Sequence, residues 1–599
     1  MTIVQIENTP VDIHFEDLSY LVSNGKSGTK KIIKSHNGTF YSGNLTGILG
    51  SSGAGKTTLL NILAGYVNQG VLGKIYINNQ SRELKTFKKI STFIMQEDLL
   101  QPFLTVKEYM MCAINLKMSP NLSESCKESI VISVAETLGL SRCLNTRSEH
   151  LSGGQRKRLS IAVELVNDPP IIFLDEPTTG LDDVTAKQCM QLLKSLAQKG
   201  KTVICTIHQP SDSLFKLFDQ VYFMDSGYCI YNNNVQSLVP FLSSSGFDCP
   251  KTYNPADYII ELTQSDPNNV LLLSKQAKSF QYHQKRKIQE LPNGLQTGNN
   301  RTFRNDRVNF CRQVLILLQR SYLQIFRNKS SLSLMLFHHV LSGVLIGSIF
   351  FGIGKNASMV YENFKFGMTV IIYVVYSNAI VPTLTYPLEV KLIKREYFNG
   401  WYSLKAYFLA LVLAPLVFMF IAVNIFILIC YSMTDQPMEL NRYILFTIPV
   451  ILLGMNSNTF GVAIGAMFNP KNGAAITPST LAPLVILGVY GMGFGRFVHP
   501  FMKAVIHVSF FRYGIVAFCS TIFENRHDLV CPEIYCHYKD TELFLKDMGM
   551  HGTSYSLQII ALLAFLTLHV CFGYFFLKLK FSSDFMEHVK RIRLKIFSV

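Results

Sequence analysis

The stretch that most constrains this chain fits the phosphate-binding pattern G-x-x-x-x-G-K-[ST]. It consists of Gly50, Ser51, Ser52, Gly53, Ala54, Gly55, Lys56, Thr57 and Thr58. Apolar residues 45–49 before it predict a strand, and residues 58–64 predict the beginning of a helix. Glycines let backbone N–H groups turn toward phosphate oxygens, and a helix N-terminus adds its positive dipole end. In this pattern the Lys side chain reaches the β- and γ-phosphates and the Thr hydroxyl binds Mg²⁺, so a nucleotide-binding α/β domain is predicted.

Three later strands are predicted to end in polar side chains suited to nucleotide chemistry. Residues 171–174 are apolar and lead into Asp175 and Glu176, which are expected to hold Mg²⁺ and to polarise the attacking water. Gln96 follows a β-rich run and could ligate Mg²⁺ or orient the water, while His208 follows another buried run and could contact the γ-phosphate. Taken singly, such a Gln is more often a surface residue and such a His a structural one.

A second anion site is predicted where small residues begin a helix rich in Arg and Lys, because exposed backbone N–H groups at a helix N-terminus attract anions. Its sequence is Leu151, Ser152, Gly153, Gly154 and Gln155.

In order and spacing these motifs resemble the ATP-binding cassette family. Residues 50–58 resemble its Walker A motif, Gln96 its Q-loop, 151–155 its LSGGQ signature, 171–176 its Walker B motif, 180–182 its D-loop and His208 its switch histidine. The resemblance implies ATP and Mg²⁺ as cofactors, with Thr57, Gln96 and Asp175 around the metal. It also implies that two cassettes pair head to tail, so that Ser152 and Gly154 act on the partner's γ-phosphate. One cassette per chain therefore implies a dimer.

Composition separates the chain into two unlike halves. Charged residues make up only 16%, against about 25% in soluble domains, and the apolar excess lies in the second half. The net charge of +16 could indicate nucleic acid, but a cassette does not read bases, and basic residues on the cytosolic side of a membrane explain it. The N-terminus has no apolar signal-peptide core and is expected to stay cytosolic.

Six segments are apolar and long enough, at about 20 residues, to cross a bilayer. They lie near 332–351, 366–386, 407–430, 443–468, 474–494 and 557–577. A seventh, 501–523, contains Lys503, His507 and Arg512, which are costly in lipid. Counting six also keeps the basic C-terminal tail inside, so 501–523 is interpreted as re-entrant or interfacial.

The predicted organisation is an α/β P-loop ATP-binding cassette domain (1–263), a polar linker (264–309) and an all-α six-span transmembrane domain (310–599). The last part begins with an amphipathic helix over residues 310–326 and contains a re-entrant segment and an external loop near 495–555. Both termini are expected in the cytosol.

A cassette followed by six spans resembles the G subfamily, the White-type half transporters. Residues 386–389 and 401–407 look most like its sterol- and lipid-exporting branch. The resemblance implies ATP-driven export of a lipophilic substrate by a homodimer or a heterodimer, in the plasma membrane or an endosomal or vesicle membrane. The alternative is a heterodimeric carrier of pigment precursors, derivatives of tryptophan or guanine. Another alternative, a cassette ATPase that acts on ribosomes or in DNA repair, is disfavoured by the spans. An ATP-gated channel is a further alternative, and uphill transport would distinguish a pump from it.

The charged run at residues 391–396 resembles the family's coupling helix, which docks on the cassette between spans two and three. It contains Arg395 and Glu396, and we hypothesise that Arg395 pairs with an acid after the Q-loop, such as Glu108; a solvated charge run is the alternative. Cys531 and Cys536 lie in the last external loop, where oxidation is expected. They permit an intrachain bridge, while the family also shows interchain ones.

Three histidines, His338, His339 and His569, fall inside predicted spans and are candidates for a transport role. A structural role is the alternative for each. Asn356 begins a glycosylation sequon close to the membrane in the first external loop.

Overall fold

The computed structural model describes residues 10–23, 29–289, 308–493, 498–526 and 528–581. These residues form two compact units. The first lies within Met1–Ile316 together with Leu392–Ser403, and the second within Leu317–Lys391 and Leu404–Phe585. The start of the acidic N-terminus, residues 290–307 of the predicted linker and the basic tail beyond residue 581 lie outside the described residues.

Ten strands build two sheets in the first unit. They are β1 Ile13–Ser23, β2 Thr29–Phe40, β3 Leu45–Gly50, β4 Val71–Ile77, β5 Gln80–Ser81, β6 Ser91–Ile94, β7 Ile171–Leu174, β8 Thr202–Thr206, β9 Gln220–Asp225 and β10 Tyr228–Asn234.

The larger sheet has the order β10-β9-β3-β8-β7-β6, and all its pairs are parallel except β10 with β9. The smaller sheet is antiparallel with the order β2-β1-β4-β5. Strands β3, β7 and β8 are buried along their whole length, as expected of parallel strands that are covered on both faces. Parallel strands end at one edge, so this sheet brings the predicted site residues together.

Ten helices complete the first unit. They are α1 Lys56–Leu63, α2 Leu84–Ile90, α3 Val106–Lys117, α4 Glu124–Thr137, α5 Gly153–Leu165, α6 Asp183–Gln198, α7 Asp212–Phe215, α8 Leu238–Ser244, α9 Pro255–Ser265 and α10 Pro267–Gln289.

Helix α10 corrects the predicted linker, since residues 267–289 are helical rather than irregular. Val270, Leu273 and Ala277 are buried, and their spacing places them on one helical face. The stripe is short, and the residues that follow it up to Gln289 are mostly polar, so the sequence showed no sustained helical period.

The remaining helices belong to the second unit. Two of them cross the boundary between the units, because α11 begins, and α13 ends, with residues of the first unit. They are α11 Phe310–Arg327, α12 Lys329–Ile349, α13 Val360–Phe398, α14 Leu404–Leu413, α15 Leu416–Met433, α16 Leu440–Met467, α17 Pro470–Val489, α18 Pro500–Val505, α19 Phe510–Phe523, α20 Thr541–Asp547 and α21 Tyr555–Phe581.

Six helical stretches in the described residues are long and apolar enough to cross a membrane, at the six predicted places, with α14 and α15 forming the third. The second is longer than predicted: α13 runs for 39 residues through Pro382 and Pro387. The charged run at 391–396 is therefore the end of this long helix and not a separate short one. Prolines inside a spanning helix are tolerated where neighbouring groups satisfy the freed carbonyls.

The segment 501–523 is not a straight span, because α18 with its following turn and α19 meet at a bend of 89°. Helix α19 is almost wholly buried in the second unit, while Lys503 and His507 lie on the exposed part before it. A bend of this size is typical of a re-entrant loop or a broken span, so the re-entrant interpretation remains a prediction.

The cysteines of the external loop and the three histidines of the spans make specific contacts in the second unit. Cys531 and Cys536 form a disulfide inside the chain, with Cα atoms 5.9 Å apart. Nδ1 of His569 lies 3.1 Å from Asn456 Oδ1, and Nδ1 of His338 lies 3.1 Å from the Tyr373 hydroxyl. His339 Nδ1 lies 2.9 Å from the Met335 carbonyl. These contacts favour structural roles for His338 and His569, whereas the buried Nε2 of His339 has no hydrogen-bond partner among the described residues.

Candidate functional site

The loop between β3 and α1 is shaped by glycines that no other residue could replace without strain. Gly50 has φ 145°, and a Cβ there would lie 1.9 Å from the Met224 carbonyl oxygen. Gly55, which precedes α1, has φ 103°, in the left-handed region that favours glycine. In front of Gly53 there is open space. The loop thus leaves room beside the N-terminus of α1, where a phosphate would meet unpaired N–H groups.

Lys56 is held inside this loop by its own backbone. Its Nζ donates to the carbonyls of Gly50 at 2.8 Å and Ser51 at 2.9 Å, and the side chain is buried. Burial lowers the Lys56 pKa, while the carboxylates of Glu176 and Asp175 oppose that shift. The ammonium is therefore placed at the loop before any ligand arrives.

Asp175 lies at the carboxyl end of β7, beside the P-loop. Its Oδ1 accepts hydrogen bonds from the Thr57 hydroxyl at 3.1 Å and the Thr206 hydroxyl at 2.7 Å. Burial raises the Asp175 pKa, and neighbouring Glu176 raises it further, against these two hydrogen bonds. A carboxylate whose charged form is disfavoured by burial and a like charge is one that a cation would stabilise. Hydroxyl and carboxylate oxygens are also the ligands that Mg²⁺ prefers, so this donor set fits the metal.

Glu176 and Gln96 are brought together from β7 and β6. Gln96 Nε2 donates to Glu176 Oε2 at 2.7 Å, and the Thr179 hydroxyl donates to the same oxygen at 2.9 Å. Glu176 has φ 45°, and its backbone N–H donates to Thr206 Oγ1. The structure thus gathers Lys56, Thr57, Gln96, Asp175 and Glu176 at one sheet edge.

His208 and the LSGGQ residues make no hydrogen bond with this group among the described residues. His208 is exposed, two residues after β8. Ser152 caps α5 and forms a reciprocal capping box with Gln155, while a Cβ at Gly154 would lie 2.3 Å from Thr185 Cγ2. Among the described residues, no hydrogen bond joins Ser152 or Gly154 to the P-loop group. The D-loop residue Asp182 caps α6.

The predicted Arg395–Glu108 ion pair is not formed among the described residues. Arg395 donates instead to the Leu99 carbonyl at 2.7 Å and the Tyr109 hydroxyl at 3.1 Å. The Glu108 carboxylate accepts from the backbone N–H of Thr105 in the capping box of α3. A capping role for Glu108 was readable from its place three residues after Thr105. In the part of the chain that the structure describes, Arg395 therefore does not hydrogen-bond to Glu108, whose carboxylate serves that cap; pairing with another acid after the Q-loop stays a prediction.

Glu396, by contrast, is fully buried within the first unit. It accepts hydrogen bonds from the Tyr109 hydroxyl at 3.2 Å and from the Tyr402 hydroxyl at 2.6 Å. Residues 392–403 therefore fold as part of the first unit. Arg395 and Glu396 are buried there, whereas Lys391 and Lys394 are exposed.

Several site residues were missed from the sequence. Thr206 connects Asp175 and Glu176, and Lys157 of α5 donates to the Gln96 carbonyl at 3.1 Å. Glu164, also on α5, is completely buried. A charged residue within the apolar run Ile-Ala-Val-Glu-Leu-Val was the available signal for Glu164, and the chain's single Trp was the signal for Trp401.

Comparisons with known proteins match both units. A family model described as ABC transporter matches residues 33–179, and models described as ABC-2 type transporter match residues 208–269 and 312–523.

Full-length relatives are similar across most of the chain. Protein white of Drosophila melanogaster is 30% identical over 515 residues, covering 81% of this chain and 73% of that protein. The ABC transporter ATP-binding protein/permease wht-1 of Caenorhabditis elegans is 31% identical over 525 residues, covering 82% and 78%. The broad substrate specificity ATP-binding cassette transporter ABCG2 of Rattus norvegicus is 27% identical over 538 residues, covering 82% and 80%.

Proposed function

Because the chain belongs to the G subfamily of ATP-binding cassette transporters, we propose that it is a half transporter that dimerises and exports a lipophilic substrate. It is an ATP-hydrolysing, multi-pass membrane protein of the cassette-first type. The observation that carries the proposal is the meeting of Lys56, Thr57, Asp175, Gln96 and Glu176 at one sheet edge, in a chain that also has six apolar spans.

The P-loop edge would hold ATP and Mg²⁺. Residues 50–58 would receive the phosphates, and Thr57, Asp175 and Gln96 would hold the metal. ATP, when bound, supplies the phosphoanhydride bond whose hydrolysis provides the free energy for transport. A magnesium site of this kind does not require three or more His, Cys, Asp or Glu side chains grouped around the metal. The described residues contain no such group.

The chain's own groups position and polarise the attacking water. Glu176 accepts its proton as general base, and Gln96 holds the Glu176 carboxylate in place. Thr206 fixes Asp175 through its hydroxyl and Glu176 through its backbone N–H. His208, exposed on the same edge, is free to approach the γ-phosphate.

A second copy of the cassette would complete the site. Ser152 and Gly154 have no hydrogen bond to the P-loop group of their own chain, although residues at a helix N-terminus suit a phosphate. In the head-to-tail arrangement that the family implies, they would contact ATP held by the partner. The partner is a second half transporter, either another copy of this chain or a different subfamily member.

The spans favour a lipophilic substrate because they are apolar and several of their hydroxyls are already bonded within their own helices. The hydroxyls of Ser457, Thr459, Ser479 and Thr480 donate to carbonyls of their own helices. A solute beside such helices meets mainly apolar side chains, which suits a sterol or another lipid. We expect both termini in the cytosol, because basic residues near the span ends favour that side. The proposed location is the plasma membrane or an endosomal or vesicle membrane.

Transport into vesicles whose cassettes face the outside solution tests this proposal. The purified chain in phosphatidylcholine vesicles is expected to accumulate labelled cholesterol only with ATP and Mg²⁺, and Glu176→Gln vesicles are the matched control. ATP-dependent uptake of labelled guanine or tryptophan derivatives in place of cholesterol would select the alternative substrate class. Flux that only equilibrates across the vesicle wall would reject the pump.

A further inference from the structure

The backbone at the outer edge of β6 is hydrogen-bonded to a side chain. Strand β6 is the last strand of the larger sheet and pairs with β7 alone. Phe93, in its middle, is only 3% exposed. A buried peptide group at a strand edge needs partners for both its N–H and its C=O.

Asn399 provides both partners. Its Oδ1 accepts from the Phe93 N–H at 3.0 Å, and its Nδ2 donates to the Phe93 carbonyl at 2.9 Å. A carboxamide carries one acceptor and one donor arranged like a peptide group, so Asn399 binds β6 as one residue of an added strand would. Asn399 is 8% exposed, and water does not readily substitute for it.

The segment that carries Asn399 is fixed around this contact. The Phe398 ring packs against Tyr66, with centroids 4.8 Å apart, and Lys88 lies 4.6 Å from its centroid. Two residues after Asn399, the Trp401 indole donates to Glu164 on α5 at 3.1 Å. The amide is therefore held in one place, and it moves only when residues 392–403 move.

Strand β6 leads directly to the catalytic carboxylates. The carbonyl of Ile94, the residue after Phe93, accepts from the Asp175 N–H at 2.9 Å. Two residues further on, Gln96 donates to Glu176. A displacement of Phe93 is thus transmitted to both groups through one short strand.

We propose that Asn399 is a positioning residue for ATP hydrolysis, because its carboxamide holds the edge of β6 so that Gln96 engages Glu176. The inference rests on the proposed function and deepens it, because it names a residue of the first unit that positions the hydrolytic groups.

A double-mutant cycle tests the assignment. Full-length chains carrying Asn399→Ala, Gln96→Ala or both are compared in phosphatidylcholine nanodiscs. Asn399→Ala is expected to lower kcat for ATP about tenfold, with KM changed less than about twofold, since Lys56 and Thr57 are untouched. In the Gln96→Ala background the same change should have almost no further effect. If the two substitutions instead lower kcat by factors that multiply in the double variant, the assignment is wrong.

Hydrogen exchange provides a readout that does not depend on activity. The Phe93 amide should exchange about tenfold faster in Asn399→Ala than in the wild type. Equal exchange at Phe93 would also reject the proposal. If Asn399→Ala does not fold, Asn399→Asp keeps the shape and the acceptor but removes the donor, and the same loss of kcat without loss of ATP affinity is expected.

Asn68→Ala is the matched control, because exposed Asn68 also donates its amide to a single backbone carbonyl, that of Gly65 at 3.0 Å. It should leave kcat and Phe93 exchange unchanged. A wild-type chain without Glu176-dependent ATP hydrolysis would reject the proposed function itself, whereas an active chain with multiplying effects would reject only the role of Asn399.

Discussion

The Glu176→Gln variant is expected to bind ATP like the wild type but to hydrolyse it about 10²- to 10⁴-fold more slowly, the usual cost of losing a general base. A carboxamide keeps the shape of the carboxylate and still accepts hydrogen bonds from Gln96 and Thr179. It cannot take the proton of the attacking water. Lys56 and Thr57, which would hold the phosphates and the metal, are unchanged.

Phosphate release and binding of a fluorescent ATP analogue measure the two properties separately. Glu136→Gln is the matched control, because Glu136 is an exposed glutamate on α4 of the same unit. Wild-type turnover in Glu176→Gln would refute its role as the base. Loss of nucleotide binding would instead mean that the substitution disturbed the P-loop edge.

The Glu164→Gln variant is expected to destabilise the first unit by about 3–5 kcal/mol, because it leaves a buried ammonium without its counter-ion. Lys117 Nζ lies 2.9 Å from Glu164 Oε2, and the two side chains are 5% and 0% exposed. The Thr92 hydroxyl and the Trp401 indole also donate to this carboxylate. Although burial acts to raise the Glu164 pKa, the nearby Lys117 and Arg395 hold it below its ordinary value.

The single Trp of the chain, Trp401, reports the unfolding of this unit through its fluorescence. For a unit of this size the loss corresponds to a Tm lower by roughly 6–20 °C. Glu128→Gln is the matched control, since Glu128 pairs with Lys107 at 2.8 Å but both side chains are about half exposed; it should cost less than about 1 kcal/mol.

A second substitution shows whether the lost stability comes from the unpaired Lys117 charge or from another effect of Glu164→Gln. Lys117→Met combined with Glu164→Gln removes both charges and should recover much of the lost stability. The ion pair's own contribution should be fully present above about pH 4.3, the ordinary pKa of Glu, and should be lost as pH falls from there through the lower pKa of folded Glu164, because the folded state holds the carboxylate ionised more strongly than the unfolded chain does. Equal melting of Glu164→Gln and Glu128→Gln would contradict the account.

The parts of the site that could be predicted from sequence are those set by local chemistry. Glycine spacing and the following helix determine the loop around Lys56, and an apolar run ending in two acids determines Asp175 and Glu176. Six long apolar segments were sufficient to predict the spans. In each case, neighbouring residues along the chain contain the whole signal.

What could not be predicted depends on contacts between distant residues. Asn399 and Phe93 are 306 residues apart, and nothing near either residue indicates the other. The hydrogen bonds of Arg395 could not be predicted for the same reason: the Leu99 carbonyl and the Tyr109 hydroxyl carry no charge pattern to recognise. Helix α10 was missed because its apolar stripe is short and depends on packing against the rest of the first unit.

The central claim is that ATP is hydrolysed only where two chains meet, and the most direct test is ATP turnover in nanodiscs that hold one copy or two. Discs with two copies should hydrolyse ATP. Discs with one copy should be slower by about 10²-fold per site, because the phosphate would lack the donors of a partner's Ser152 and Gly154. Equal turnover per chain in both kinds of disc would contradict the account.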